Sequence, residues 1–449
     1  VKRCRSLLLL LVTALWGCGP RAAPSPPGGR LNLVLVSVDT MRADRLGRVG
    51  RDGRSLTPAL DAQAARSRVF TRAFSPSNET LFSHAGIFLG EVPSVVGPLD
   101  YRSFRVPADA PTLAARLSRA GWRTEAVVAS GHLAPVFGLD AGFQSYQVTD
   151  SVFTSFQETM PAALSRLDQL AAGDRPFFLF VHGYDCHSPY VKPGPLHHPE
   201  APGYDGLLAP LAANPLTWER IYDGAYYPDF QPPDLRAGDV NALDARVFDA
   251  LRRHAARDGV QRVALSDEDR AFVRGVYDGA VAYADTWLGR LFRRIDALGL
   301  TGTTVVAVMS DHGEDLLDHG FVNHRVSLHD ENVHVVFMVA GPGVSPAEDD
   351  GFVSMTSLPD ALLALVGAAE GPPLDALAVD VAPSESMLGE VSVRTLAGRA
   401  RAPRASLTER RPEAPLPGME LLDDDGQPLP WEDPRADALW RSLWEAWGS

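Results

Sequence analysis

The chain has 449 residues, enough for one large domain or about three of ~150 residues, and 56 acidic against 42 basic residues give it a net charge of −14. Hydrophobic residues make up 45% and charged residues 22%, which excludes a disordered chain, because that much apolar material supports a sizeable core. The acidic balance argues against a nucleic-acid partner, and three cysteines (Cys4, Cys18 and Cys186) exclude a disulfide framework or a cysteine zinc site.

The first expected element is a leader. Lys2, Arg3 and Arg5 precede an apolar run from Leu7 to Trp16, too short to span a bilayer but suited to a signal-peptide core. The run ends in Leu15-Trp16-Gly17-Cys18, which resembles the bacterial lipobox apart from the bulky Trp16. Residues 1–17 are therefore expected to be a lipoprotein signal peptide, with Cys18 lipidated. The alternative is an ordinary secretory signal whose cysteine is incidental. Residues 18–30, rich in Pro, Gly and Ser, read as a flexible tether. The expected location is the bacterial cell envelope, as a periplasmic or outer-membrane lipoprotein held to the membrane by its anchor.

The body alternates strands and helices. Leu31 to Val38 is a nearly continuous apolar run and reads as a strand buried on both faces, ending in Asp39. A short helix is expected over Pro111–Gly121 and strands over Thr124–Ala129 and Pro176–His182. A long helix is expected over Asp267–Leu298, with Val276, Ala280, Tyr283 and Trp287 on one stripe. Thr303–Ser310 and Val333–Ala340 read as further strands. Strands separated by helices predict a mostly parallel, mixed α/β sheet flanked by helices. Residues 190–260, rich in Pro, Gly, Tyr and His, read as an insertion. Beyond about 385 the pattern weakens into loops before Leu439, Trp440, Leu443, Trp444 and Trp447 recur at helical spacing, as packing residues. The expected organisation is a catalytic domain over 31–375, containing the insertion, and a small C-terminal subdomain over 376–449.

Ligands of open α/β sheets sit beyond the carboxyl ends of strands. Asp39 and Asp311 stand there, the second opening Asp311-His312-Gly313-Glu314-Asp315, with Asp318-His319-Gly320 after it. Hard oxygen donors beside an imidazole suit a divalent cation, although strand-end acids also cap turns. A Ser/Thr-rich loop leads into an apolar helical segment at Thr80, where a hydroxyl beside a metal suits an alkoxide nucleophile. Thr80 is equally a possible N-cap. His182-Gly183-Tyr184-Asp185-Cys186-His187 leaves a strand end and either contacts an anionic substrate or caps a loop. Cys186 reads as a small residue in a tight loop, and Glu348-Asp349-Asp350 and Asp423-Asp424-Asp425 as solvated loops.

Together these segments resemble the sulfatase family of the alkaline phosphatase superfamily. Residues 32–46, 73–90, 178–190, 277–289, 310–320 and 324–342 follow in that family's order. The resemblance implies an alkaline phosphatase-like fold and one divalent ion, calcium with manganese or zinc as alternatives. It implies Asp39, Asp311 and His312 as ligands and Thr80 at the nucleophile position. It places His187 and His324 where relatives contact the transferred group or protonate the leaving oxygen.

The departures are specific. Where the family has Cys-x-Pro-Ser-Arg, oxidised to formylglycine, this chain has Thr80-Leu81-Phe82-Ser83-His84. Threonine cannot yield that aldehyde, so no formylglycine is expected and Thr80 is expected to act as a direct alkoxide. His84 replaces the family arginine with a weaker, pH-dependent charge. Asp39-Thr40 replaces a pair of adjacent aspartates. The expected activity is metal-dependent hydrolysis of a small sulfate or phosphate ester. The alternatives are a catalytically degenerate binding lipoprotein and a phospho-headgroup transferase.

Overall fold

The computed structural model describes residues 29–50, 53–188, 264–320, 322–407 and 414–447, with short pieces of 190–262. The leader, Cys18, most of the tether and most of the insertion lie outside the described residues. Among the described residues, no helix is long and apolar enough to cross a membrane.

The main sheet contains β1 (Asn32–Val38), β2 (Arg68–Phe74), β3 (Arg123–Ser130), β4 (Ser145–Val152), β5 (Phe177–Gly183), β6 (Thr304–Met309), β7 (His334–Val335), β8 (Phe337–Ala340) and β9 (Ala347–Ser354). Their spatial order is β7-β2-β8-β6-β1-β5-β3-β4, with β9 alongside β2. β1 lies parallel between β5 and β6. β8 runs antiparallel between β2 and β6. The single strand expected over Val333–Ala340 is thus two pieces. The break falls at Val336, whose N–H donates to Ser310 Oγ at 2.9 Å and whose carbonyl accepts from Ser310 N–H at 3.0 Å.

Helices cover both faces. They include α1 (Pro58–Ala64), α2 (Thr80–Leu89), α3 (Leu113–Arg119), α4 (Phe156–Ala171), α5 (Asp267–Ala297) and α6 (Leu358–Leu365), while α7 (Pro434–Trp447) lies in the C-terminal part. Side chains alternate across a strand, so Leu33 and Leu35 join α2, α3 and α6 in one core while Val34 and Val36 join α1, α4 and α5 in the other. This double burial explains the unbroken apolar run of β1.

α5 begins at a capping box in which Ser266 and Asp269 satisfy each other's backbone N–H groups. Its expected stripe is rotated from the real one. Val276 and Ala280 are buried, but Tyr283 and Trp287 are only half-buried. The covered arc instead runs through Val273, Tyr277, Ala284, Leu288 and Leu291, because α1, α4 and the sheet enclose the helix on a broad front.

The region beyond 385, expected to be loops, contains strands. β10 (Ala382–Glu385), β11 (Glu390–Thr395), β12 (Gly398–Pro403) and β13 (Glu420–Leu422) form an antiparallel sheet. α7 covers it, packing Leu439, Leu443 and Trp447 against Val391, Val393, Ala400 and Ala402. The alternation in β12 is real, but its buried positions are Gly398, Ala400 and Ala402. Small residues give a weak hydrophobic signal. The molecule is therefore a mostly parallel, mixed α/β sheet flanked by helices, as expected, with a small antiparallel C-terminal subdomain. Glu348, Asp349 and Asp350 lie in β9, not in a loop.

Candidate active site

Three neighbouring parallel strands deliver the site. The β1–β5 register pairs Ser37 with His182 and Val38 with Gly183, and β6 ends at Met309 two residues before Asp311. Asp39, His182 and Asp311 therefore meet at one sheet edge, all fully buried. Thr40 turns the chain out of β1 with φ 55°, a left-handed conformation costly for a β-branched residue. The strain is held from both sides: Thr40 N–H donates to Asp311 Oδ1 at 3.2 Å, and Tyr277 O–H donates to the Thr40 carbonyl at 2.6 Å. Asp311 Oδ1 also accepts from the His312 N–H at 2.9 Å. Gly313 follows because the Glu331 carbonyl oxygen lies 2.0 Å from where a Cβ would stand.

Thr80 is the first residue of α2, and Glu79 is its N-cap residue. The Thr80 hydroxyl does not cap its own helix. It donates to Asp39 Oδ2 at 3.1 Å and lies 3.2 Å from His312 Nε2. Ser83, one turn on, donates to the Asp311 carbonyl at 2.7 Å and fixes the helix against the β6 strand end.

Asp39, Asp311 and His312 place one ligand atom each within 4.8 Å of one another. Asp39 Oδ1 and Asp311 Oδ2 are buried without a hydrogen-bond partner. Burial, then the adjacent Asp311 charge, pushes the Asp39 pKa well above the ordinary carboxylate value. Two buried carboxylates with oxygens turned to a common space, beside an imidazole nitrogen, fit a divalent cation. His182 Nε2 donates to Asp39 Oδ2 at 3.3 Å and orients that carboxylate. The His312 ring is oriented by its Nδ1–H to the Gly313 carbonyl, 2.9 Å.

The histidines divide. His84 lies beneath this group and is fully buried. Its Nδ1 donates to the Thr80 carbonyl at 2.8 Å and its Nε2 meets Ser37 Oγ at 3.0 Å. Burial, here among Phe88 and Phe180, lowers its pKa, and the nearby Asp311 charge opposes that shift. Nδ1 also lies 3.5 Å from Asp311 Oδ2, and the Nε2 contact to Ser37 ties α2 to β1. His187 and His324 are brought together with ring centroids 5.4 Å apart, and His324 sits 4.3 Å from the His312 ring. His187 Nδ1 donates to the Ser188 carbonyl at 2.6 Å, while its Nε2 is buried without a partner. Burial pulls the His187 pKa down to about 3. His324 Nδ1 lies 2.9 Å from Glu314 Oε1, and burial with the neighbouring imidazoles lowers its pKa well below the ordinary value.

The sequence offered His182 as a substrate contact or loop cap and Glu314 as one of a row of oxygen donors; in the structure His182 lies against Asp39 and Glu314 against His324. The placement of His182 follows from the β1–β5 register, which the sequence does not show; its position at the end of an apolar strand was the available signal. Glu314 meets His324 across ten residues of loop, for which no local signal exists. Cys186 is fully buried, and burial raises its thiol pKa well above the usual value, so it is an inert packing residue.

The family model described as Sulfatase matches residues 31–368. The dog N-acetylgalactosamine-6-sulfatase is 27% identical over 331 residues, covering 69% of this chain and 54% of that protein. The arylsulfatase of Clostridium perfringens is 22% identical over 344 residues, covering 70% of this chain and 69% of that protein. The chain thus spans about half the length of the mammalian relative. In structure it resembles the phosphonate monoester hydrolase of Agrobacterium radiobacter, with TM-score 0.63, 17% identity, and coverage of 93% and 94% of the two chains.

Proposed function

Since the chain belongs to the sulfatase family, we propose that it is a metal-dependent hydrolase of small sulfate or phosphate esters that uses the Thr80 hydroxyl as its nucleophile. The observation that carries this reading is the Thr80 hydroxyl within 3.2 Å of both Asp39 and His312, turned to the ligand group instead of capping its helix. Asp39, Asp311 and His312 would hold one divalent ion, calcium on the oxygen donors or manganese or zinc on the imidazole. When bound, that ion would lower the hydroxyl pKa and neutralise a non-bridging oxygen of the ester.

The chain's own residues then divide the work. Thr80 attacks sulfur or phosphorus in line: its O–S or O–P bond forms as the ester bond to the leaving oxygen breaks. Asp39 Oδ2 accepts the hydrogen bond of the attacking hydroxyl, aims it and takes its proton, which returns to Thr80 Oγ1 when water cleaves the covalent ester. His324, with Glu314 behind Nδ1, is placed to pass a proton to the leaving alkoxide. The glutamate offsets the imidazolium charge formed when His324 reloads. His187, whose neutral Nε2 lacks a partner, is placed to take a proton from the water that cleaves the covalent ester. His84 and His182 hold the nucleophile helix and the Asp39 carboxylate in place. Threonine at this position requires no oxidative maturation.

The test is a screen of an aryl sulfate, a phosphate monoester, a phosphate diester and a phosphonate monoester, each with calcium, manganese or zinc. Turnover of at least one substrate, abolished by chelator and restored by metal, is the expected result. Stoichiometric metal without turnover of any substrate would favour a binding protein that has kept the fold.

We also place the protein at the bacterial cell envelope, anchored through Cys18, on the strength of the basic, apolar and Gly-Cys succession alone. Cys18→Ser should move it from the membrane to the soluble fraction. Unchanged membrane association would reject the anchor.

A further inference from the structure

A second group of metal-ligating side chains lies outside the candidate active site. His319, His329 and Glu331 each place a ligand atom within 4.8 Å of the others. His319 Nε2 is 3.0 Å from Glu331 Oε2, and the His319 and His329 rings stack with centroids 3.4 Å apart and planes 6° from parallel. The Asp39–Asp311–His312 group is sealed, but this one opens to solvent: the His319 and Glu331 side chains are 33% and 28% exposed.

The donor chemistry differs too. Two imidazoles and one carboxylate select zinc or a neighbouring transition ion over calcium. Tetrahedral zinc with bonds of about 2.1 Å sets its ligand atoms roughly 3.4 Å apart. The His319–Glu331 pair is already inside that spacing. His329, whose ligand atom lies within 4.8 Å of the other two, closes by at most about 1.4 Å to reach that spacing, with the two rings fanning out of their stack so that both nitrogens face one point. The exposed side leaves a fourth position for water, as zinc sites with three protein ligands do. The surrounding charge permits a cation. Asp315 receives the backbone N–H groups of Asp318 and His319. The guanidinium groups of Arg399 and Arg401 are paired with Asp330, Glu390 and Glu420.

We propose that His319, His329 and Glu331 form a second, solvent-accessible transition-metal site, which takes Zn2+ and ties together the two ends of the segment carrying His324 and Arg325. Glu331 is also joined to the active-site strand end, since its carbonyl accepts from the Glu314 N–H at 2.9 Å. Zinc bound there therefore stiffens the loop that positions His324, without entering the reaction. The inference is independent of the proposed hydrolase function.

The test uses the full chain, stripped with chelator, titrated with zinc chloride alone and counted for bound zinc by mass spectrometry after desalting. The proteins compared are Asp39→Asn, which disables the buried group, and the same protein carrying His329→Phe or Glu331→Gln. His329→Phe keeps a ring to stack on His319, and Glu331→Gln keeps the side-chain volume. The expected result is zinc bound by Asp39→Asn, with one equivalent per chain lost in each double variant. Cobalt substitution should give the intense visible bands of a four-coordinate ion, lost in the same variants. Either double variant suffices if the other fails to fold. No zinc in Asp39→Asn, or zinc unchanged by both further substitutions, would overturn the proposal.

Discussion

At the scale of single residues the energetic tension of this molecule lies in the Asp39–Asp311 pair. Neither carboxylate has an arginine or lysine partner at its orphaned oxygen, and both are fully buried. Burial and Asp311 raise the Asp39 pKa above its ordinary value, so the native state binds this proton more tightly than the unfolded chain. The sign follows: in metal-free protein, stability is greatest below about pH 4 for this group and declines as pH rises above it. Asp39→Asn should flatten that decline and raise the chelator-treated melting temperature at pH 7. It should also cancel the stabilisation that calcium or manganese gives the wild type. Thermal melts with and without metal check both. Asp39 and Thr80 were legible in the sequence because strand-end and helix-start positions are local features. The structural role of His84 was not, since a histidine lined by Phe88, Phe180 and Ser37 looks the same in sequence as one facing substrate.

At the scale of elements, several supports come from far along the chain. The first turn of α1 is capped from α5: Asp285 accepts from the Ala59 and Leu60 N–H groups at 2.9 and 2.7 Å. Burial outweighs these two donors and pushes the Asp285 pKa up to about 6. Its stabilising contribution is therefore fully present below the unfolded value near 3.8 and is lost as pH rises through about 6. Asp285→Asn should remove that slope from a urea-unfolding series across pH 4 to 7. An unchanged slope would reject the assignment. The main-sheet strands were readable because double burial leaves continuous apolar runs. The C-terminal strands were not, because β12 buries glycine and alanine, and because the apolar face that covers their core comes from α7, a separate element.

At the scale of the whole molecule, the small C-terminal subdomain buttresses the loops of the candidate active site. Ser384 Oγ donates to the Ser75 carbonyl at 2.7 Å, and the Glu385 N–H donates to the Pro76 carbonyl at 2.9 Å. Arg394 is buried and donates to the Leu328 carbonyl at 2.6 Å and to Asp330 at 2.9 Å. It thereby fixes the end of the segment that carries His324. Asp330 keeps its pairing with Arg399, so removing Arg394 costs its charge-assisted hydrogen bonds, about 2 kcal/mol. Arg394→Ala should therefore lose stability of that order in denaturant titrations and lower kcat through His324. Arg394→Lys should recover part of the stability and less of the rate, because a single ammonium cannot replace the guanidinium fork. A loss confined to stability would separate the subdomain from catalysis.

The central claim is that the Thr80 hydroxyl is the nucleophile at a metal-bound ester site. It is tested most directly by steady-state turnover of the best substrate by wild type, Thr80→Ser and Thr80→Ala, with bound metal counted in the same samples. Thr80→Ala should keep its ion but lose at least about a thousandfold in kcat, while Thr80→Ser should retain measurable turnover. Undiminished turnover by Thr80→Ala would contradict it.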